Sequence, residues 1–492
     1  MQSTFPRFTV DDAYITFRYA ENLALHGELN WNVGENPVEG YTGVALPVIL
    51  AGFIKLGVSP ISASRWIGIF SFWLGWLMLF LIAKKLKLPK VGLGGILILY
   101  ATTPILFTHS FSGMETMLFA ATALSAIYFL ISGADNWFLA ALLSVGLVRP
   151  EGAALAVFFI LAAGFVKYRY YPDEFRAFIK SFIFVYFFPA LIYFFWRWNY
   201  YGQLLPNTFY AKSVAGFQLG VAADIFRFIR FYLALPVLAG LFLWSAETDW
   251  LKEKIKKDYW NWRFLAPMAA GLLFCAVVFL VLSRAHLIAN FSTRFYVPFL
   301  AVLWVGLILI WHLGLSATER LKIEQPARYQ FIVFMFIALV SYQALFQIVK
   351  LKDEIRFASQ QIILQEEEHN LIGKTLKNIL PPTESVIVYM DAGAIPYFSK
   401  LRAVDFGALN DETLARNKLS SAQRLDYFFS QNPGAVAISS VNAERLDYGA
   451  EAQAIVSDPR FKNYVLYKRY IPRDPDIKYY EFVYLRKDLY HK

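Results

Sequence analysis

The sequence predicts a polytopic α-helical membrane protein that ends in a small α/β domain. Three observations carry that reading. Hydrophobic residues make up 57% of the 492 and aromatic residues 18%, while charged residues reach only 17%, against about 25% in an ordinary soluble domain. Apolar runs near the roughly 17–25 residues needed to cross a bilayer core recur between residues 61 and 350, and mean hydropathy is +0.43. Beyond Leu351 the composition turns polar, and short strand patterns alternate with helical ones.

In chain order, residues 1–60 form an entry segment, 61–350 the membrane domain and 351–492 the tail. The entry segment starts with Thr9-Val-Asp-Asp-Ala-Tyr-Ile-Thr-Phe-Arg, an aromatic-rich helix pattern ending at Gly27. A loop over 30–43 carries Glu39-Gly-Tyr-Thr-Gly43. The run 44–58 is apolar but short and contains Pro47, so it reads as a helix at the interface or dipping into it. About ten spans follow, near 61–83, 91–107, 115–132, 137–148, 152–167, 178–198, 228–246, 264–283, 295–313 and 329–350.

Alternating sides sorts the loops. One set holds Lys84, Lys85, Lys87, Lys90, Lys167, Arg169, Arg176, Lys180, Lys252, Lys254, Lys256, Lys257, Arg263, Arg320, Lys322 and Arg328, sixteen basic residues. The other holds five: Arg149, Lys212, Arg227, Arg284 and Arg294. The basic set belongs in the cytoplasm, which puts the entry segment and the tail outside. It also accounts for the net charge of +10 without nucleic acid as a partner. Cys275 is the single cysteine, so no intramolecular disulfide forms. The N-terminus shows no signal-peptide pattern.

In the tail, 353–380 reads as a polar helix ending before Pro381-Pro382. Strands are predicted at 385–390, 435–439, 464–470 and 479–485, with helical patterns at 411–430 and 445–457. That is a small α/β domain of ~100–140 residues.

The outside loops hold the unusual residues. Asp11 and Asp12 at a helix start suit N-capping and the helix dipole. Only one of two adjacent carboxylates can cap, and the other could accept a proton from an attacking hydroxyl. Both readings stand at this point. Arg149-Pro-Glu-Gly152 is either a turn with a surface ion pair or a guanidinium aimed at a lipid phosphate. Lys212 and Arg294 have the same two readings, since basic residues at membrane boundaries often only snorkel. Glu115 either caps its own helix or binds substrate. His109 has no second ligand at metal-like spacing, and no phosphate-binding glycine loop, HExxH or cysteine cluster occurs.

The motif Asp-Asp-Ala-Tyr-Ile-Thr-Phe-Arg-Tyr-Ala-Glu-Asn-Leu-Ala24, with Glu39-Gly-Tyr-Thr42 after it, resembles the first external loop of GT-C membrane glycosyltransferases. The nearest likeness is to the mycobacterial terminal arabinofuranosyltransferase and its bacterial relatives. It continues through Ser112-Gly-Met-Glu-Thr116, Val148-Arg-Pro-Glu-Gly152, Leu205-Pro-Asn-Thr-Phe-Tyr-Ala-Lys212, Arg294-Phe-Tyr-Val-Pro298, Asp391-Ala-Gly-Ala-Ile-Pro-Tyr397 and Asp405-Phe-Gly-Ala-Leu-Asn410. The resemblance implies transfer of a sugar from a polyprenyl-phosphate donor to a hydroxyl of a cell-envelope glycan or lipid-linked acceptor. Transfer would take place on the outer face of a bacterial inner membrane. It makes Asp11 and Asp12 the catalytic pair, and Arg149, Lys212 and Arg294 the cations on the departing phosphate. Arg18, Glu39, Tyr41, His109, Glu115, Glu151 and Asn207 become the other substrate-binding candidates. It leaves cofactors open, with a divalent cation the candidate and no metal ligand assigned. Family members start with a span ahead of the Asp-Asp loop, whereas ten residues, Met1 to Val10, precede it here, so the first span is expected to be missing. The alternatives are a transporter or flippase of lipid-linked sugars, or a non-catalytic glycan-assembly protein. The ionisable residues of the predicted spans lie near span ends rather than centrally, against an ion-coupled carrier.

Overall fold

A computed structural model describes residues 5–212, 216–245, 262–284, 290–319 and 321–490. Lys252, Lys254, Lys256, Lys257 and Arg320 of the basic loop set lie outside the described residues, as do residues 285–289 of the predicted Arg284–Arg294 loop.

The protein is a multi-span helical membrane protein with a small sheet domain at its C-terminal end. Among the described residues, six helices are long and apolar enough to cross a membrane. They are Pro60–Lys85, Pro150–Tyr170, Pro172–Tyr201, Leu219–Ser245, Val297–Thr318 and the helix beginning at Pro326. The predicted run 91–107 is a bent pair, Lys90–Thr102 and Pro104–Phe111, meeting at 51°. Proline causes the bend: Pro104 has no N–H to donate and pushes Thr103 into an extended conformation, φ −73° and ψ 108°. Shorter apolar helices, Ala45–Lys55, Thr116–Ser132, Asp135–Val148 and Met268–Leu282, correspond to the remaining runs.

The largest departure from the predicted elements concerns the last span. The run 329–350 and the polar helix 353–380 form one helix that continues to Ile379, as Pro326–Leu364, a π turn at Gln365–His369, and Asn370–Ile379. No glycine or proline interrupts 327–372, so nothing stops it before Pro381. The span therefore carries the tail on a rigid rod.

The tail sheet has five strands, β1 (Ser385–Tyr389), β2 (Arg402–Asp405), β3 (Ala435–Ser440), β4 (Tyr464–Tyr470) and β5 (Tyr480–Arg486). Their order is β2-β1-β3-β5-β4. β1 is parallel to β2 and β3, while β5 runs antiparallel to β3 and β4. Strand β2 is unpredicted; four residues are too few to show alternation. The pattern 411–430 divides into Glu412–Arg416 and Ser421–Ser430, because Ser420 and Gln423 build a capping box that starts the second helix. From β1 the chain turns to one side to make β2, then crosses to the other side to make β3. The sheet thus has a switch point at the carboxyl ends of β1 and β3.

Entry segment and tail share a hydrophobic core. Ile15, Tyr19, Trp31 and Tyr41 pack with Ile372, Leu376, Val386 and Ile395. Each large side chain removed from water there contributes on the order of 1.5–3 kcal/mol, and Trp31 Nε1 also donates to the Ala403 carbonyl at 2.8 Å. This core fixes the helix Asp11–His26 between Ala45–Lys55 and the short tail helix Ala394–Ser399, with Tyr14 against Tyr397 and Phe398.

Candidate functional site

The capping expectation for the two aspartates fails in the structure. The N-cap of their helix is Val10, which has no capping side chain, and Asp11 and Asp12 are the first two helical residues. Both still benefit from the helix dipole in the first turn. Consecutive helical side chains point about 100° apart, so the pair faces two different surroundings.

Asp12 faces a group of cations. Its Oδ2 lies 2.8 Å from Arg294 Nη1, and the Arg294 side chain is almost fully buried. The N–H directions of Arg294 do not follow that contact. Nε and Nη1 of its guanidinium are buried without a hydrogen-bond acceptor. Phe295 forms an aromatic floor under Arg294, Lys212 and Arg149, at 4.7, 5.4 and 5.6 Å from its ring. Arg149 is held by two carboxylates, Glu115 at 2.9 Å and Glu151 at 3.1 Å. Arg149 ends the helix Asp135–Val148 and caps the next, with Pro150 at the first helical position. Gly43 lets the entry loop touch this turn, since a methyl there would overlap the Val148 carbonyl. Lys212 has its pKa pushed down to about 8, first by burial and then by Arg294.

His109 supports this face from behind. Its Nε2 is 3.0 Å from the Ser292 carbonyl. Ser292 and Thr293 hold φ of 42° and 53°, a left-handed conformation costly for side chains of this kind. The imidazole thus braces the strained turn that presents Arg294. Beside it a cleft of ≈ 420 Å³ opens, bordered by Ile105, Phe231, Tyr232, Thr293 and Lys350.

The structure thus brings Asp12, Glu115, Arg149, Glu151, Lys212 and Arg294 together, with His109 behind them. Four other candidates make their hydrogen bonds inside the protein, away from this group. Arg18 donates to the carbonyls of Trp31, Pro396 and Leu401 and to Asn32, which uses four of its five N–H groups. Glu39 makes a two-pronged pair with buried Arg197. Tyr41 meets Tyr201 hydroxyl to hydroxyl at 3.1 Å. Asn207 donates to Ala408, Leu409 and Asp411 carbonyls. These residues tie the entry loop to the tail and to the span Pro172–Tyr201.

Asp11 faces the tail. Gly393 N donates to its Oδ2 at 2.8 Å and Ala394 N to its Oδ1 at 2.9 Å. Gln365 Nε2 and His369 Nδ1 reach Oδ1 at 3.2 and 3.1 Å. Burial opposes ionisation of Asp11, but His369 and these donors outweigh it and hold the carboxyl below its usual range. Gly393 permits the approach, as a methyl would overlap the Asp11 carbonyl oxygen and carboxylate. His369 was not a sequence candidate; nothing in its local spacing sets it apart from the surrounding helix.

Among solved structures, the chain is similar to ArnT from Cupriavidus metallidurans bound to undecaprenyl phosphate. The TM-score is 0.59 at 11% identity, covering 100% of this chain and 96% of that one. The apo state of the same protein gives 0.60 at 12% identity, with 99% and 95% covered. The likeness shows a GT-C fold. It does not extend to the closer arabinofuranosyltransferase resemblance. A family model described as a domain of unknown function (DUF8728) matches residues 354–482. No curated protein matches the chain.

Proposed function

We propose that the protein is a membrane glycosyltransferase that moves a sugar from a polyprenyl-phosphate donor to a hydroxyl of a cell-envelope glycan or lipid-linked acceptor. The reaction would take place on the outer face of the membrane. One observation carries this reading: a carboxylate, Asp12, stands beside an arginine whose Nε–H and Nη1–H are buried and lack acceptors. A base for the acceptor and a planar fork for a phosphate are thereby adjacent. The likeness in fold to a protein crystallised with undecaprenyl phosphate supports a polyprenyl phosphate as the lipid.

In the proposed step Asp12 takes the proton of the acceptor hydroxyl, whose oxygen attacks the anomeric carbon. The bond from that carbon to the phosphate oxygen breaks, and the electron pair leaves with the polyprenyl phosphate. Arg294, Lys212 and Arg149 meet the charge developing there, in a buried setting where electrostatic stabilisation is strongest. Glu115 and Glu151 hold Arg149 in place. Asp11, locked by backbone amides, positions the helix rather than accepting a proton.

The test is release of polyprenyl phosphate from a set of polyprenyl-phosphate sugars by the purified chain and by Asp12→Asn. Loss of release with donor binding retained supports the reading. Equal rates in the two proteins would sink it, and lipid translocation without hydrolysis or transfer would favour a flippase.

A further inference from the structure

On the tail side of Asp11 lies a crevice unused by the proposed reaction, and its charges do not balance. Glu368, Asp391 and Glu481 converge there around His369. Glu368 is fully buried and both its carboxylate oxygens lack a hydrogen-bond partner. His369 is 3% exposed, and its Nε2 is likewise buried without a partner. That nitrogen lies 3.9 Å from Glu481 Oε1. Asp391 and Glu481 both lie within hydrogen-bond distance of one hydroxyl, Ser439 Oγ, at 2.7 and 2.8 Å. The same Oγ approaches the Tyr389 carbonyl at 3.1 Å. A hydroxyl has one hydrogen to give, so three acceptors cannot all be satisfied by it; Asp391 Oδ2 also accepts from the Tyr479 hydroxyl, which leaves Glu481 and Glu368 as the carboxylates short of donors. Among the described residues no lysine or arginine forms an ion pair with Glu368, Asp391 or Glu481. Two buried carboxylates and a half-buried third with one imidazole are costly unless something neutralises them.

We infer that this crevice is a divalent-cation site, with His369 Nε2, Asp391, Glu481 and Glu368 as ligands and Asp11 as the residue that orients the histidine. Three independent features agree. The Asp11 contact to Nδ1 at 3.1 Å fixes the imidazole with Nε2 free, the carboxylate–histidine–metal arrangement that recurs around bound metals. One donor atom each of Asp11, His369 and Asp391 lies within 4.8 Å of the other two. A ligand sphere of about 2.0–2.2 Å radius separates its donors by about 3–4.4 Å, a range that the 3.9 Å between His369 Nε2 and Glu481 Oε1 meets. The location is also the expected one. Asp391 follows β1, Ser439 ends β3, and the switch point between those strands is where open α/β sheets bind ligands. One nitrogen with several carboxylate oxygens suits Mn²⁺ or Zn²⁺ better than a soft thiophilic ion.

The ion would join three pieces of chain that are remote in sequence: the long helix through Glu368 and His369, the sheet through Asp391 and Glu481, and the Asp11-Asp12 helix through Asp11. Its role is to hold the proposed catalytic helix against the tail. It does not depend on the glycosyltransferase reading, because binding and melting are read without any sugar donor.

The experiment uses the full chain in detergent, stripped with a chelator and then titrated with Mn²⁺, Zn²⁺ or Co²⁺. Metal content, melting temperature and, for Co²⁺, the visible d–d spectrum are recorded. The expected result is one ion per chain and a melting temperature raised by about 2–5 °C at a hundredfold excess over Kd. His369→Gln should abolish the Co²⁺ spectrum. Glu368→Gln should weaken binding at least tenfold, while the stripped protein melts no lower than the stripped wild type. Absence of a stoichiometric ion with unchanged melting for all three metals overturns the proposal. So does equal binding by wild type and both variants, and so does a stripped Glu481→Gln protein that melts higher with no response to metal, which would mark a crevice neutralised by a proton.

Discussion

Asp12 faces Arg294, Lys212 and Arg149 over a phenylalanine ring, whereas Asp11, one residue earlier, faces two backbone amides, a glutamine and a histidine at the edge of an acidic crevice. The first side sets three cations against three carboxylates, Asp12, Glu115 and Glu151, yet keeps N–H donors of Arg294 without acceptors. The second has too many carboxylates for its cations and keeps acceptors without donors. About 100° of rotation on one helix therefore separates a surface prepared for an anion from one prepared for a cation. The difference teaches that adjacency in sequence says little about shared role on a helix. It also predicts that the two aspartates fail in different ways.

The largest effect should come from exchanging each for asparagine. Asp12→Asn should lower kcat by about 10²–10⁴-fold, the usual range for loss of a general base, with an unchanged melting temperature. Asp11→Asn should instead lower the melting temperature, because the amide cannot accept from Gly393, Ala394 and His369 together. The pair of kcat and melting measurements checks this, and a reversed pattern would break the comparison. Next in size is Arg294→Lys. An ammonium keeps the charge but lacks the fork that Nε and Nη1 supply, so kcat/KM for the donor should fall about 10²-fold, comparable to losing one oxyanion donor. A smaller effect is expected at Gly393→Ala. The added methyl overlaps Asp11, and overpacking of this kind costs typically about 1–3 kcal/mol. Its signature is a lower melting temperature with a chelator-insensitive remainder, since the Asp11–His369 contact would be displaced.

The basic side was legible in the sequence and the acidic side was not. Arg149, Lys212, Arg294, Glu115 and His109 all lie in loops that the lysine count assigns to one membrane face, and topology alone brings such loops together. Their internal pairing was not legible, because Arg149 meets Glu115 across 34 positions and Asp12 meets Arg294 across a still longer separation. The residues that tie the entry loop to the tail show the same limit. Glu39 is a loop carboxylate in the sequence, while its partner Arg197 sits at the end of the predicted run 178–198, and only the fold reveals the pair. Asp391 lies in one of the motifs the sequence shows, but His369 and Glu481 belong to a helix and a strand remote from it, so no motif spacing joins the three. In the fold, apolar runs located the spans, while Pro104 hid a bend and an uninterrupted helix hid the join between span and tail.

Lys212 gives the smallest effect and the sharpest discrimination. Burial and Arg294 lower its pKa to about 8, so it is a cation below that pH and neutral above it. Donor binding should weaken as pH rises through 8, by a few-fold in KM, because one of three cations is lost. Stability should move the other way. An unfolded lysine titrates near 10.4, so between about pH 8 and that value the unfolded chain binds the extra proton and folding gains free energy as pH rises. A higher KM with equal or higher melting temperature over this window identifies the loss as electrostatic rather than structural. Lys212→Arg, charged throughout the range, should keep donor KM level to about pH 10. If wild type and Lys212→Arg share one pH profile, Lys212 does not meet the phosphate, and the anion-binding side of the comparison reduces to Arg149 and Arg294.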